Sequence, residues 1–272
     1  MKKRTNSNLV GKLILCVSML SLFLVGCQSA ETGSLDVVAN GEDFVREGFV
    51  SVDGWAVEFD QLLVSLDNIT VWRSESPYDA SDGQPPEGES ITLEENYVID
   101  LAAGDSSADP ILVDSLNDIP TGHYNAISWD VVAADGQPPV QLSGQGSKDG
   151  ETVAFDLTIE TPFAYSCGEF IGDERKGFVN ADQTGDIEMT FHLDHVFGDF
   201  DAPADESLNQ GALGFGPLAE IAENGQLTAN LAMLEQQLSA DNYARLIDTL
   251  QTLGHVGEGH CYETNGGYSG DK

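Results

Sequence analysis

Basic residues are scarce in this chain: 11 Lys and Arg stand against 46 Asp and Glu, a net charge of −35. A field of that sign repels phosphate backbones and anionic head groups and attracts cations, which excludes nucleic-acid binding. Long apolar runs are missing as well. The stretch Leu13 to Val25 falls short of the roughly 18 residues a membrane-spanning helix needs, and nothing after it comes closer. Hydrolase signatures are also lacking. There is no Gly-x-Ser-x-Gly elbow, His192-x-x-His195 is not a His-Glu-x-x-His helix, and no pair of acids stands out as a glycosidase couple. The chain therefore reads as a binding protein and not as an enzyme.

What is present begins with an export signal. Lys2, Lys3 and Arg4 precede the apolar run, and Leu24-Val25-Gly26-Cys27 follows it. That tetrapeptide resembles the lipobox of bacterial lipoproteins. The resemblance implies removal of residues 1–26 and lipidation of Cys27, including a palmitate-type acyl chain, with stable anchoring by two or more chains. Gln28 in place of Asp points to the outer membrane, facing the periplasm or the surface. The mature chain keeps seven basic residues against all 46 acids, a net charge of −39. Because the acids are spread along the chain, they read as solubility in a salty medium. Residues 27–43 are small and polar and are expected to form a flexible tether.

From residue 44 to 200 the apolar period is two. Val153, Phe155, Leu157 and Ile159 alternate with polar neighbours, as do Trp55, Val57 and Phe59, and Ile127, Trp129 and Val131. Val64 and Leu66 hold one phase and Ile69 and Val71 the other, so a bulge is expected near Asp67 and Asn68. Gly146 to Gly150 reads as a hairpin turn, and Ser74 to Ser90 and Gly198 to Gly216 as loops. The fold class is mainly β, an antiparallel sandwich. Residues 201–272 add a small C-terminal helical appendage: Leu231, Leu234 and Leu238, then Tyr243, Leu246, Ile247, Leu250 and Leu253, sit at helical spacing. Ser239 or Asp241 is expected to cap the second helix. The run Glu220 to Leu231 faintly resembles an EF-hand loop but lacks the bidentate Glu, which argues against calcium.

With Cys16 discarded and Cys27 lipidated, Cys167 and Cys261 remain, and in an oxidising compartment two leftover cysteines pair; two thiolates on zinc are the alternative. Four of the five histidines lie in two clusters, His192-Leu193-Asp194-His195 and His255-Val256-Gly257-Glu258-Gly259-His260. Strand alternation places His192 and Asp194 on the wetter face of a strand through Ile187, Met189, Phe191 and Leu193. If 163–170 and 186–194 are hairpin neighbours, Cys167 lies roughly 10 to 15 Å from His192, and the disulfide delivers the second cluster to the first. His192, His195, His255 and His260, with Asp194 or Glu258, are then a transition-metal set. Zn(II) suits it best, with Cu(II) and Ni(II) as alternatives. Copper(I) is disfavoured because Met189 and Met233 form no thioether cluster, and His123 reads as a turn residue.

The stretch Phe49 to Trp72, the segment Ile119-Pro120-Thr121-Gly122-His123-Tyr124 and the two histidine clusters resemble a family of uncharacterised bacterial lipoproteins with a transthyretin- or carboxypeptidase-regulatory-like sandwich. That resemblance implies a fold and an address. Location and acidity suggest metal capture or delivery to an outer-membrane transporter. The competing expectation is a metal-free interaction or adhesion module using acidic loops such as Ser74 to Ser90.

Overall fold

The computed structural model describes residues 31–74, 76–168, 170–171, 174–255 and 261–264. The expected signal segment 1–26 and Cys27 lie outside them, as do Glu258 and His260. The elements used below are β1 (Thr32–Asn40), α1 (Glu42–Glu47), β2 (Ala56–Arg73), β3 (Ile111–Pro120), β4 (Ala126–Val131), β5 (Val140–Lys148), β6 (Glu151–Ile159), β7 (Phe163–Gly168), β8 (Thr184–Phe191), α2 (Asp194–Phe197), β9 (Gln226–Asn230), α3 (Leu231–Gln237), α4 (Ala240–Gln251), β10 (Gly254–His255) and β11 (Tyr262–Thr264).

Two sheets face each other in a mainly β sandwich. The smaller runs β10-β8-β1-β3, with β1 and β8 parallel and the outer pairs antiparallel. The larger runs β9-β6-β5-β2-β4-β7-β11 and is antiparallel except where β9 joins β6. Between them Trp129 stands 5.4 Å from Tyr165 and 6.2 Å from Phe191, ring centre to ring centre.

Alternation decides most of this. Val153, Phe155, Leu157 and Ile159 are all buried, because a period-two strand turns every second side chain to one face. The long β2 buries Val64, Leu66, Ile69 and Val71 by slipping register between Asp67 and Thr70, where Asn68 takes φ 52. β5 and β6 meet at Lys148 and Glu151, so the turn is only Asp149 (φ 51) and Gly150 (φ 86), the paired left-handed conformations that match strand twist.

Several expectations fail. The tether ends early: from Thr32 the chain is β1, a central strand whose Leu35, Val37 and Ala39 are fully buried. Its polar start, Thr32-Gly33-Ser34, hides that alternation. The strands 163–170 and 186–194 are not hairpin neighbours either; β7 pairs β4 and β11, whereas β8 pairs β1 and β10. The third failure is His123, which belongs to a two-residue strand, Gly122–His123, and stacks on Phe178 at 4.1 Å.

The helical end shares the sandwich core. Leu234, Leu246, Leu250 and Leu253 pack with Leu142, Leu157 and Ile159 in one apolar cluster, and Glu31–Lys272 is one compact unit. Ser239 caps α4 through the Asn242 N–H, and Asn230 caps α3 through that of Met233. The stretch resembling an EF-hand instead turns at Asn224 and Gly225 into β9. Among the described residues no helix is long and apolar enough to cross a membrane.

Candidate metal centre

β8 divides its side chains between two faces. Ile187, Met189 and Phe191 enter the sandwich core, while Glu188, Thr190 and the following His192 form the opposite row. That row is not the wetter face expected for His192, which is only 8 % exposed. Asn40 and Glu42, at the end of β1 and the start of α1, close over it.

The chain then reverses sharply. Leu193 precedes the single turn of α2, and Gly198 at φ 71 ends it, a conformation that favours glycine. This turn carries Asp194 and His195 back beside His192. The two imidazole rings lie 5.2 Å apart and within 20° of parallel. One donor atom from each of His192, Asp194 and His195 falls within 4.8 Å of the others.

Both imidazoles are held at Nδ1. That of His192 is 3.0 Å from Glu42 Oε2, and that of His195 is 2.9 Å from both the carbonyl oxygen and Oγ1 of Thr252. With the proton on Nδ1 the lone pair sits on Nε2, the arrangement in which an outer partner orients a metal-binding histidine. The main chain fixes the same seam, since the His192 N–H donates to the Leu253 carbonyl.

Burial shapes the charges. It pushes the Asp194 carboxyl up from its ordinary range, against the pull of His195 and His192 and with help from Glu42. Burial likewise pushes His195 down, opposed by Asp194, so the ring is held in the neutral form that a metal requires. Glu188 is also raised, chiefly by burial, although Asn40 Nδ2 donates to it at 3.1 Å. Among the described residues no lysine or arginine contributes to the field on Asp194. Zinc bonds of about 2.0 to 2.1 Å set tetrahedral donors about 3.3 Å apart, so closing on an ion asks each donor to move by about 1 Å.

His195 also lines an open cavity of about 580 Å³ together with Ser207, Arg245, Asp248 and Thr252, which gives solvent a route to the cluster. Cys167 and Cys261 are joined, with Cα atoms 4.3 Å apart. His255 enters as backbone, in register with Thr190 on β10.

Glu42 went unnoticed in the sequence because nothing in Asn40-Gly41-Glu42 announces a ligand. Its signals are three-dimensional: φ is 58 at a non-glycine residue, and its N–H is held by Asn40 Oδ1 at 3.0 Å. No family model, no curated protein and no solved structure matches the chain, so function is argued from this geometry alone.

Proposed function

We propose that this protein is a lipid-anchored cell-envelope protein that binds one divalent transition ion, zinc first, through His192, His195 and Asp194. The observation that carries the reading is the meeting of two imidazoles and a largely buried carboxylate within 4.8 Å. Glu42 and Thr252 orient the rings from outside. A set of two nitrogens and one oxygen suits Zn(II), with Cu(II) and Ni(II) as competitors of similar chemistry. Three protein donors leave one position for water or for a ligand arriving through the cavity beside His195. An ion held with an open position can be captured and passed on, and a transporter in the outer membrane is the proposed recipient. The anchor rests on Leu24-Val25-Gly26-Cys27.

The test is metal analysis and calorimetry on untagged protein stripped with chelator. Expected is uptake of one zinc per chain, reduced about 100-fold or more by His192→Ala combined with His195→Ala. Stoichiometric zinc retained by that double variant overturns the assignment.

A second reading has its own observation. The loop after β2 encloses a cavity of about 510 Å³ lined by Asp79, Asp82 and Glu87, a surface fit for a basic partner. Absence of saturable zinc uptake at micromolar concentration favours this interaction module.

A further inference from the structure

Resting on the metal reading above, we propose that the cavity beside His195 binds a free α-amino acid with an anionic side chain. Arg245 takes its α-carboxylate, Asp248 its ammonium group, and the side-chain carboxylate fills the open position on the ion.

The cavity is about 580 Å³, a volume usual for small-molecule sites, and its wall combines His195 with one cation and one acid, Arg245 and Asp248. α4 and its end set the spacing. Arg245, Asp248 and Thr252 stand at i, i+3 and i+7 on one side of the helix, and Thr252 is the residue that holds His195 Nδ1 at 2.9 Å. Seven residues of helix rise about 10 Å, a span that the long Arg245 side chain and a ligand of about five carbons share.

Arg245 is the independent observation. Its Nη1 donates to the carbonyl oxygens of Gln210 at 2.7 Å and Ala212 at 3.4 Å, which fixes the guanidinium against the segment after α2. Among the described residues those are its only bonds, and although Asp248 is one turn away the two form no ion pair. The edge made by Nε and Nη2 is left open, and that fork matches a carboxylate in both geometry and charge. The threonine hydroxyls in the wall are already spent. Thr249 Oγ1 donates to the Arg245 and Leu246 carbonyls, and Thr252 Oγ1 to that of Thr249. Charge therefore does the recognising. A plain dicarboxylate meets the repulsion of Asp248, whereas an α-amino acid presents a carboxylate and an ammonium on one carbon, matching a cation and an acid one helical turn apart. Its side-chain carboxylate supplies the oxygen that closes a tetrahedral ion.

The experiment loads stripped, disulfide-intact protein with one equivalent of zinc, measures the zinc held, and titrates L-glutamate by calorimetry at salt near physiological strength. Expected is one L-glutamate per chain, bound about tenfold or more weaker in Arg245→Gln and in zinc-free protein, and severalfold weaker in Asp248→Asn. L-glutamine, isosteric but without the side-chain carboxylate, is expected to bind the zinc-loaded parent about tenfold weaker as well. The amino-acid site is overturned, and the metal site left standing, by no saturable L-glutamate, by binding unchanged in Arg245→Gln, by L-glutamine as tight as L-glutamate, or by zinc drawn off the chain. Failure of zinc to load sinks the imidazole reading and is seen before any amino acid is added. The L-glutamine comparison uses the parent chain, so it decides even where Arg245→Gln loosens the turn that Nη1 holds.

Discussion

Asp194 shows how one side chain of a candidate site can oppose stability. Its folded pKa lies above the ordinary carboxylate range because burial penalises the charged form. The folded chain therefore holds the proton more tightly than the unfolded chain, and stability is lost as pH rises from the ordinary carboxylate range through the folded pKa. Asp194→Asn is expected to stabilise the metal-free protein at pH 8 and to abolish the rise in Tm expected when zinc is added to the parent. Melting curves with and without zinc check both halves. Glu263 allows a cleaner test away from the centre. Burial pushes its carboxyl up to about 7, so its contribution is full below about pH 4.5 and is lost as pH rises to about 7. Glu263→Gln should raise Tm at pH 8 and leave it unchanged at pH 4, an effect of about 1 kcal/mol once solvent screening of this partly exposed group is included.

At the scale of elements, close packing of strands on helices sets the tolerances. Gly146 on β5 faces the Phe215 ring, and a Cβ there would lie 2.1 Å from it. Gly146→Ala is expected to cost about 2 to 4 kcal/mol, read as a lower denaturant midpoint at unchanged slope. β1 offers the sharper contrast with the sequence reading. The alternation of Leu35, Val37 and Ala39 is written in the chain, but Thr32-Gly33-Ser34 carries the composition of a linker and masks it. A real tether could be deleted without harm. Deleting 32–40 is expected to abolish cooperative unfolding, because it removes the strand lying between β8 and β3. The strand β6 and the slip in β2 were legible, since each leaves a periodic apolar trace that survives without knowledge of neighbours.

For the whole molecule, the bridge between Cys167 and Cys261 closes a loop of 94 residues. Chain entropy assigns such a closure about 4 to 5 kcal/mol. The bridge ties Cys261, beside β11, to the larger sheet, while β10 pairs with β8 beside the candidate metal centre. Reduction should lower Tm and weaken zinc binding together, and Cys261→Ser should reproduce both without reductant. The partner of Cys167 was legible from counting alone, because the expected export and lipidation would leave two thiols.

The sequence by itself determined the period-two strands, the helical spacing after Gly216, the sulfur pairing and the candidacy of His192, Asp194 and His195, because each depends on local pattern or on arithmetic. Only the tertiary structure decided that β1 is core, that His192 is buried, and that Glu42 stands beside it. Those facts depend on which strands become neighbours. Parallel pairing of β1 with β8 joins residues about 150 positions apart, and no local periodicity encodes a contact of that range.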